Sequence, residues 1–421
     1  MTVIDELTHG IPTVRLGAIT ERVQQAGHGT EQALSVFLGA GVVPRGERAD
    51  NYNQLGADLD KYQLVKPGDL VFNRLRTWQG GFGASRHRGI VSPAYIVARP
   101  RTGNARYLDY VLHSAPYLAE LTRISKWMPP SQFDVLWADL RQVEVPWPNE
   151  DEQRSIAAFL DDRVARIDQI IAARRKQQAL LETTLVRASF DAIKGGRVEP
   201  RRESGLPWLG SIPSTWPILT VSTEFQVDLG KMLDEKRQTG ESSIPYLRNT
   251  NVQWDRVDVM DLKSMDFALD ERDRYCVRPG DLLICEGGQP GRSAVWLGGV
   301  TPLGFQKALH RARTRGRSHP EWLLECLRVA VHLNVFAVEN GQTTIGHLTN
   351  EQLRALRLPF PDRSVQDRIL EGLRDRQSQV RATVAALSES IDLLQEYKQS
   401  LITAAVTGEI DVTTVGSGIQ G

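Results

Sequence analysis

Thirty-nine consecutive residues, Leu70 to Leu108, contain no acidic side chain and seven arginines: Arg74, Arg76, Arg86, Arg88, Arg99, Arg101 and Arg106. A second acid-free window of 34 residues, Gly287 to Pro320, holds Arg292, Lys307, Arg311, Arg313, Arg315 and Arg317. Guanidinium groups neutralise phosphates and pair bidentately with guanine, while side-chain amides read adenine edges. The neighbours suit that chemistry: Asn73, Trp78, Gln79 and His87 in the first window; Gln289, Trp296, Gln306 and His310 in the second. Lys plus Arg and Asp plus Glu number 51 each, so basic charge is segregated rather than in excess. The competing reading is a basic face balanced by acids from elsewhere in the fold. Two windows at equivalent places weigh against it.

Other chemistries lack their residues. Gly287-Gly288-Gln289-Pro290-Gly291-Arg292 has neither the spacing nor the Lys of a nucleotide-binding P-loop. There is no HExxH string and no Cys/His cluster. Met128-Pro129-Pro130-Ser131 lacks the flanking polar and aromatic residues of an amino-methyltransferase Pro-Pro motif. Asp281 and Glu286 lack the Glu-x-Lys of a common nuclease metal site. Cys276, Cys285 and Cys326 show no CxxC spacing, which fits a reducing compartment. The N-terminus carries acids where a signal peptide wants bases, and no stretch reaches the ~20 apolar residues of a membrane span. A cytoplasmic protein is expected.

The elements that must position the basic windows repeat. At an offset of about 213 residues, Lys66-Pro67-Gly68-Asp69-Leu70 returns as Arg278-Pro279-Gly280-Asp281-Leu282. Leu140 to Pro148 returns as Leu353 to Pro361, Gln153 and Ile156 as Gln366 and Ile369, and Gly195 as Gly408. Two copies in one chain make a pseudo-dimer, which suits a ligand with two-fold character of its own. In each copy Pro-Gly reads as a turn entering a strand, Leu70-Val71-Phe72 or Leu282-Leu283-Ile284. Helices are expected over 106–124 and 320–338. Each copy then ends in a 46-residue run, Asn149–Lys194 or Asp362–Thr407, with a single Gly and no Pro between them. Asn149 and Glu152 form a capping box; Gly195-Gly196 and Gly408 supply stops. Apolar residues of the second run fall at Leu373, Val380, Val384, Leu387, Ile391, Leu394 and Leu401, a heptad seam between 380 and 394. The first run is polar at Arg174 and Gln178, where either looser packing or a register-setting polar contact is expected. Two such helices pack most simply as an antiparallel pair. The Pro- and Gly-punctuated stretch 197–216 is a linker.

The residues resemble the specificity subunit of type I restriction-modification systems. The resemblance rests on Trp208 to Trp216 opening the second half, the paired Pro-Gly-Asp-Leu, and Gly341 to Leu348. The Leu-Pro-Phe-Pro…Gln-x-x-Ile junction at 358–369 and Leu401 to Ile410 complete it. It implies an α+β fold: two pseudo-symmetric DNA-recognition domains joined by two long helices packed as an antiparallel coiled coil. The boundaries are 1–148 and 197–361 for the domains, 149–196 and 362–408 for the helices, and 409–421 for a tail. It implies a non-catalytic subunit that reads a bipartite target in double-stranded DNA. The helices would dock two adenine methyltransferase subunits, with motor-nuclease subunits joining for restriction. S-adenosylmethionine, ATP and Mg would belong to those partners, and this chain would hold no cofactor. Residues expected on DNA are Arg74, Arg76, Trp78, Gln79, Arg86, Arg88, Ser131 and Gln132 in the first domain. In the second they are Gln289, Arg292, Lys307, Arg311, Arg313, Thr343, Thr344 and His347. Arg163 and Arg166 are expected on the partner. The alternatives are a coiled-coil adaptor that binds proteins only and an enzyme with an unrecognised site.

Overall fold

The repeated Pro-Gly-Asp string is a physical unit. Gly68 and Gly280 take φ of 89° and 90°, a left-handed turn that favours glycine. The following aspartate folds back, Lys66 N–H donating to Asp69 Oδ2 (2.8 Å) and Arg278 N–H to Asp281 Oδ2 (2.7 Å). The chain then enters the strands Leu70–Asn73 and Leu282–Cys285. Each strand lies inside a four-stranded antiparallel sheet. The first sheet runs Thr20–Val23, Tyr95–Pro100, Leu70–Asn73, Phe82–Ala84. The second runs Phe225–Leu229, Leu309–Thr314, Leu282–Cys285, Ser293–Val295, the same order at equivalent places. The structure, a computed structural model, describes residues 10–47, 55–56, 58–128, 132–233, 239–336 and 346–412.

A two-stranded ribbon closes each copy, Thr13–Arg15 on Glu144–Pro146 and Ile218–Thr220 on Arg357–Pro359. The expected helix over 106–124 is two, Ala105–His113 and Ala115–Ile124. The break falls at Ser114, whose hydroxyl caps the Val111 carbonyl (2.7 Å), and Pro116 then opens the next helix. The counterpart is the single helix Pro320–His332. The long helices span Glu150–Ile193 and Arg363–Thr407. The Asn149 capping box forms: Glu152 N–H donates to Asn149 Oδ1 (3.0 Å) and Asn149 N–H to Glu152 Oε2 (3.3 Å). Gly195 and Gly408 end the helices with positive φ.

The chain divides into two units, Met1–Arg175 with Ser388–Gly421 and Lys176–Leu387. Each unit therefore owns one four-stranded sheet and a part of both long helices, whereas the sequence boundaries keep each helix whole. In the first unit Ile156, Leu160, Ile167 and Ile171 share a core with Ile391, Leu401, Ile402 and Val406 and with Tyr107, Leu112 and Leu121. In the second, Gln178 Nε2 donates to the Val384 carbonyl (3.3 Å), the polar contact expected there. Farther along, Ser189 and Gln377 both bond the buried Glu325. The first helix advances from 178 to 189 while the second retreats from 384 to 377, so these segments run antiparallel. Among the described residues no helix is long and apolar enough to cross a membrane.

Gln153 and Gln366, both fully buried, explain the Gln-x-x-Ile repeat. Their carbonyls accept the N–H of Asn104 and His319, and their amides donate to the carbonyls of Pro148 and Pro361, all at 2.8–2.9 Å. Replacing Gln366 with Leu leaves such groups without partners, each costing about 1–3 kcal/mol when buried. Urea denaturation of Gln366→Leu should show a lowered midpoint with an unchanged slope; an unchanged midpoint would contradict this role.

Candidate nucleic-acid interface

The basic windows are acid-free in sequence but not in space. Arg99 and Arg313, on equivalent strands, form bidentate pairs with Asp69 and Asp281 at 2.7–2.8 Å. Both aspartates are about 2% exposed, so these pairs lock the Pro-Gly-Asp turn to the sheet. Arg313 is thereby removed from the expected DNA contacts. Arg311 is removed more firmly. Its side chain is 0% exposed and bonds Asp228 (2.6 Å) and the Cys276 carbonyl (2.8 Å). Burial and the neighbouring Arg313 charge pull its pKa down. Arg74 is held bidentately by Asp134, with Nε to Oδ1 at 2.9 Å. Arg88 pairs with Glu31 (2.8 Å), and Arg101 with Glu21 (3.3 Å). Arg106 joins Asp109 and Asp161. Arg86 stays 71% exposed, 3.8 Å from Asp161.

Arg76, Lys307, Arg315 and Arg317 are exposed and have no ion-pair partner among the described residues. Gln79, Gln289 and His347 are exposed too. Arg76 and Gln79 lie on the loop leaving the strand Leu70–Asn73, a 3-10 turn Thr77–Gln79 closed by Gly80 at φ 83°. Gln289 lies on the equivalent loop after Leu282–Cys285. Each loop is fastened to a distant segment that the sequence also singles out. Val135 N–H donates to the Arg74 carbonyl (3.2 Å), and Leu348 N–H to the Glu286 carbonyl (2.6 Å). Gly287 bridges His347. Each domain thus gathers two separated stretches at one edge of its sheet. Arg292 serves this arrangement from below. It donates to Asn249 Oδ1 (2.7 Å), and Asn249 Nδ2 donates to the Gly287 carbonyl (2.6 Å). Trp78 is a brace as well, its ring 4.9 Å from Phe133 and its indole N–H on the Leu75 carbonyl (3.2 Å).

Ser131, Thr343 and Thr344 lie outside the described residues. Gln132 pairs with Met128 in the hairpin Lys126–Met128/Gln132–Asp134. Arg163 covers the Phe159 ring at 5.6 Å, and Arg166 is 65% exposed, paired along the helix with Asp162. Sequence reasoning missed Asn249, Asp134 and the exposed Trp127, which packs edge-on to Phe133 at 5.0 Å. No local pattern marks the first two, because their partners lie 43 and 60 residues away. Among the described residues no group of three or more His, Cys, Asp or Glu could hold a metal ion.

No family model matches the chain, and no curated protein does. Solved structures do. One chain, from work on the structural basis underlying complex assembly and conformational transition of the type I R-M system, superposes with a TM-score of 0.69. The match covers 96% of this chain and 100% of that one at 17% identity. The two share a fold. The HsdS subunit from Thermoanaerobacter tengcongensis matches over 96% of this chain and 98% of its own at 19% identity, with a TM-score of 0.45. A type I restriction-modification S subunit from M. genitalium matches over 96% and 99% at 12%, with a TM-score of 0.38.

The buried pairs set an expectation. Asp281→Ala should destabilise the second unit by about 3–5 kcal/mol, because Arg313 is left uncompensated. Chemical denaturation measures it. A loss under 1 kcal/mol would show that the pair does not hold the sheet.

Proposed function

We propose that the chain is the DNA-specificity subunit of a type I restriction-modification complex. The observation that carries this reading is the duplication of one reading device. The same sheet order occurs twice, and at the same place in each sheet a braced loop presents exposed polar side chains, Arg76 and Gln79 in the first domain and Gln289 in the second. Each domain reads one half of a bipartite target in double-stranded DNA. Phosphates are met by the unpaired cations, and base edges by the loop-tip arginine and glutamines. The fold shared with a chain of a type I R-M system supports the reading. The long helices pair as an antiparallel coiled coil and dock two methyltransferase subunits, with Arg163 and Arg166 on the partner-facing surface. Catalysis, S-adenosylmethionine, ATP and Mg belong to the partners, in the cytoplasm.

Selection of bound duplexes from a random pool, by this chain with its methyltransferase, tests the proposal. The expected result is one bipartite motif and an affinity that falls steeply with salt. A complex that binds without base preference or salt dependence would overturn it and favour a protein-only adaptor. Arg76→Ala with Gln79→Ala should then cost about 1–3 kcal/mol of base discrimination per lost bidentate contact, in the first half-site alone. Gln289→Ala with Lys307→Ala should act on the second alone. Changes in both half-sites from either pair would contradict independent readers.

The helices also act as a ruler. One heptad inserted into each, near Gln178 and Ile391, preserves the seam and adds about 10.5 Å per helix. That is roughly three base pairs at about 3.4 Å each. The selected motif should keep both halves with a longer spacer and weaker binding. An unchanged spacer in a fully active variant would show that the helices do not set the distance.

A further inference from the structure

His113 closes the first helix of the first domain and sits beneath the loop that carries Arg76 and Gln79. Its ring stacks on Phe82 at 4.1 Å between centroids. Both ring nitrogens face oxygen. Nδ1 lies 2.9 Å from the Asp109 carbonyl and 3.0 Å from Asp109 Oδ1, and Nε2 lies 3.3 Å from the Gly80 carbonyl. Carbonyl and carboxylate oxygens only accept, so a neutral imidazole would leave one bare nitrogen against an acceptor. The imidazolium satisfies both sides. Asp109 points the same way, since its Oδ1 is buried with no hydrogen bond besides this approach. The other oxygen, Oδ2, already meets Arg106 at 2.7 Å, so the ring serves the one carboxylate oxygen left without a donor.

The ring links its own helix to the loop, and the His113 backbone adds a third element. The His113 carbonyl accepts from Gln399 Nε2 on the second long helix (2.8 Å), within the same unit. A second tie on the loop, Thr122 Oγ1 to the Trp78 carbonyl, is long at 3.4 Å. The groups around the ring are mixed in sign. Arg106 on its own helix pairs with Asp109 and with Asp161 of the first long helix. Asp168 and Lys398, paired at 2.7 Å, line the same cleft with Arg86 and His87.

We propose that His113, in its charged form, is a positioning residue for DNA reading by the first domain: it pins the Gly80 carbonyl and so holds the loop bearing Arg76 and Gln79 in its reading conformation. The inference rests on the proposed function and adds to it a residue that touches no base. Burial pulls the His113 pKa down, but the hydrogen bond and charge of Asp109 and the carbonyls of Asp109 and Gly80 outweigh it. The pKa therefore lies above the ordinary histidine value. A raised folded-state pKa means the tie is complete at and below the unfolded value, near 6.5, and is lost as pH rises through the folded one. The buried His310 of the second domain has its pKa lowered, chiefly by burial, so it stays neutral over that range. Reading by the second domain should not follow the same profile.

Hydrogen exchange of the full chain, followed upward from about pH 6.5 and corrected for intrinsic rates, tests the tie without DNA. Protection of residues 76–82 should fall about tenfold as the charge-assisted bond is lost. His113→Gln should sit at the high-pH level throughout, and Asp109→Asn should move the transition to lower pH. Over the same range, the complex with its methyltransferase should lose discrimination at the first half-site, also about tenfold, and keep it at the second. Loop protection that ignores pH in the wild type, or that keeps its profile in His113→Gln, overturns the proposal. So does a pH effect shared by both half-sites. If loop protection follows pH while no base is discriminated at any pH, His113 still positions the loop, and it is the DNA-reading function that fails.

Discussion

A glutamine amide buried in the first turn of each long helix fixes how that helix leaves its domain. Gln153 and Gln366 each accept an N–H from the start of the domain's own helix and donate to the last proline carbonyl of the junction. Neither side can be replaced by water, because both side chains are fully buried. The bidentate Asp69–Arg99 and Asp281–Arg313 pairs do the matching task at the other end, fixing the turn into the central strand. These two clamps fix both ends of the scaffold in the same way in each copy, while the loops beyond the sheet differ in their side chains. Two copies of one scaffold can thus present different side chains at equivalent places.

The same geometry sorts the arginines. Those on the strands are met by aspartates: Arg99 and Arg313 by the Pro-Gly-Asp turns, and the wholly buried Arg311 by Asp228 on the neighbouring strand. Those on the loop stems brace the loops, Arg74 through Asp134 and Arg292 through Asn249. The window and loop groups that stay exposed include Arg76, Gln79, Arg86, Gln289, Lys307, Arg315, Arg317 and His347. A duplex reader needs few such groups, since each well-placed contact contributes substantially.

Much of the scaffold was legible in the sequence because its signals are local. The Asn149 box and the Gly195 and Gly408 stops bounded the long helices to within a residue or two. Leu70 and Leu282 began strands where the Pro-Gly turns placed them. The repeat offset implied two copies of one α+β arrangement, and the equal order of the two four-stranded sheets is what the structure adds. The expected helix over 106–124 missed its break because Ser114 and Pro116 act together, the one ending a helix and the other starting one. The site was less legible for a different reason. An acid-free window says nothing about acids 30, 60 or 83 residues away, and those are the separations of Arg99, Arg74 and Arg311 from their partners. The reading of a basic face balanced from elsewhere in the fold holds for most of the window arginines. Exposed basic groups remain at Arg76 and Lys307, which do not occupy equivalent places; the two equivalent loops share only an exposed polar tip, Arg76 with Gln79 in one and Gln289 in the other.

Mapping modified adenines in DNA exposed to this chain together with its methyltransferase tests the central claim most directly. The account predicts methylation at one asymmetric motif, two specific half-sites separated by a spacer of fixed length and free sequence. Methylation scattered without sequence context, or confined to a single uninterrupted motif, would contradict it.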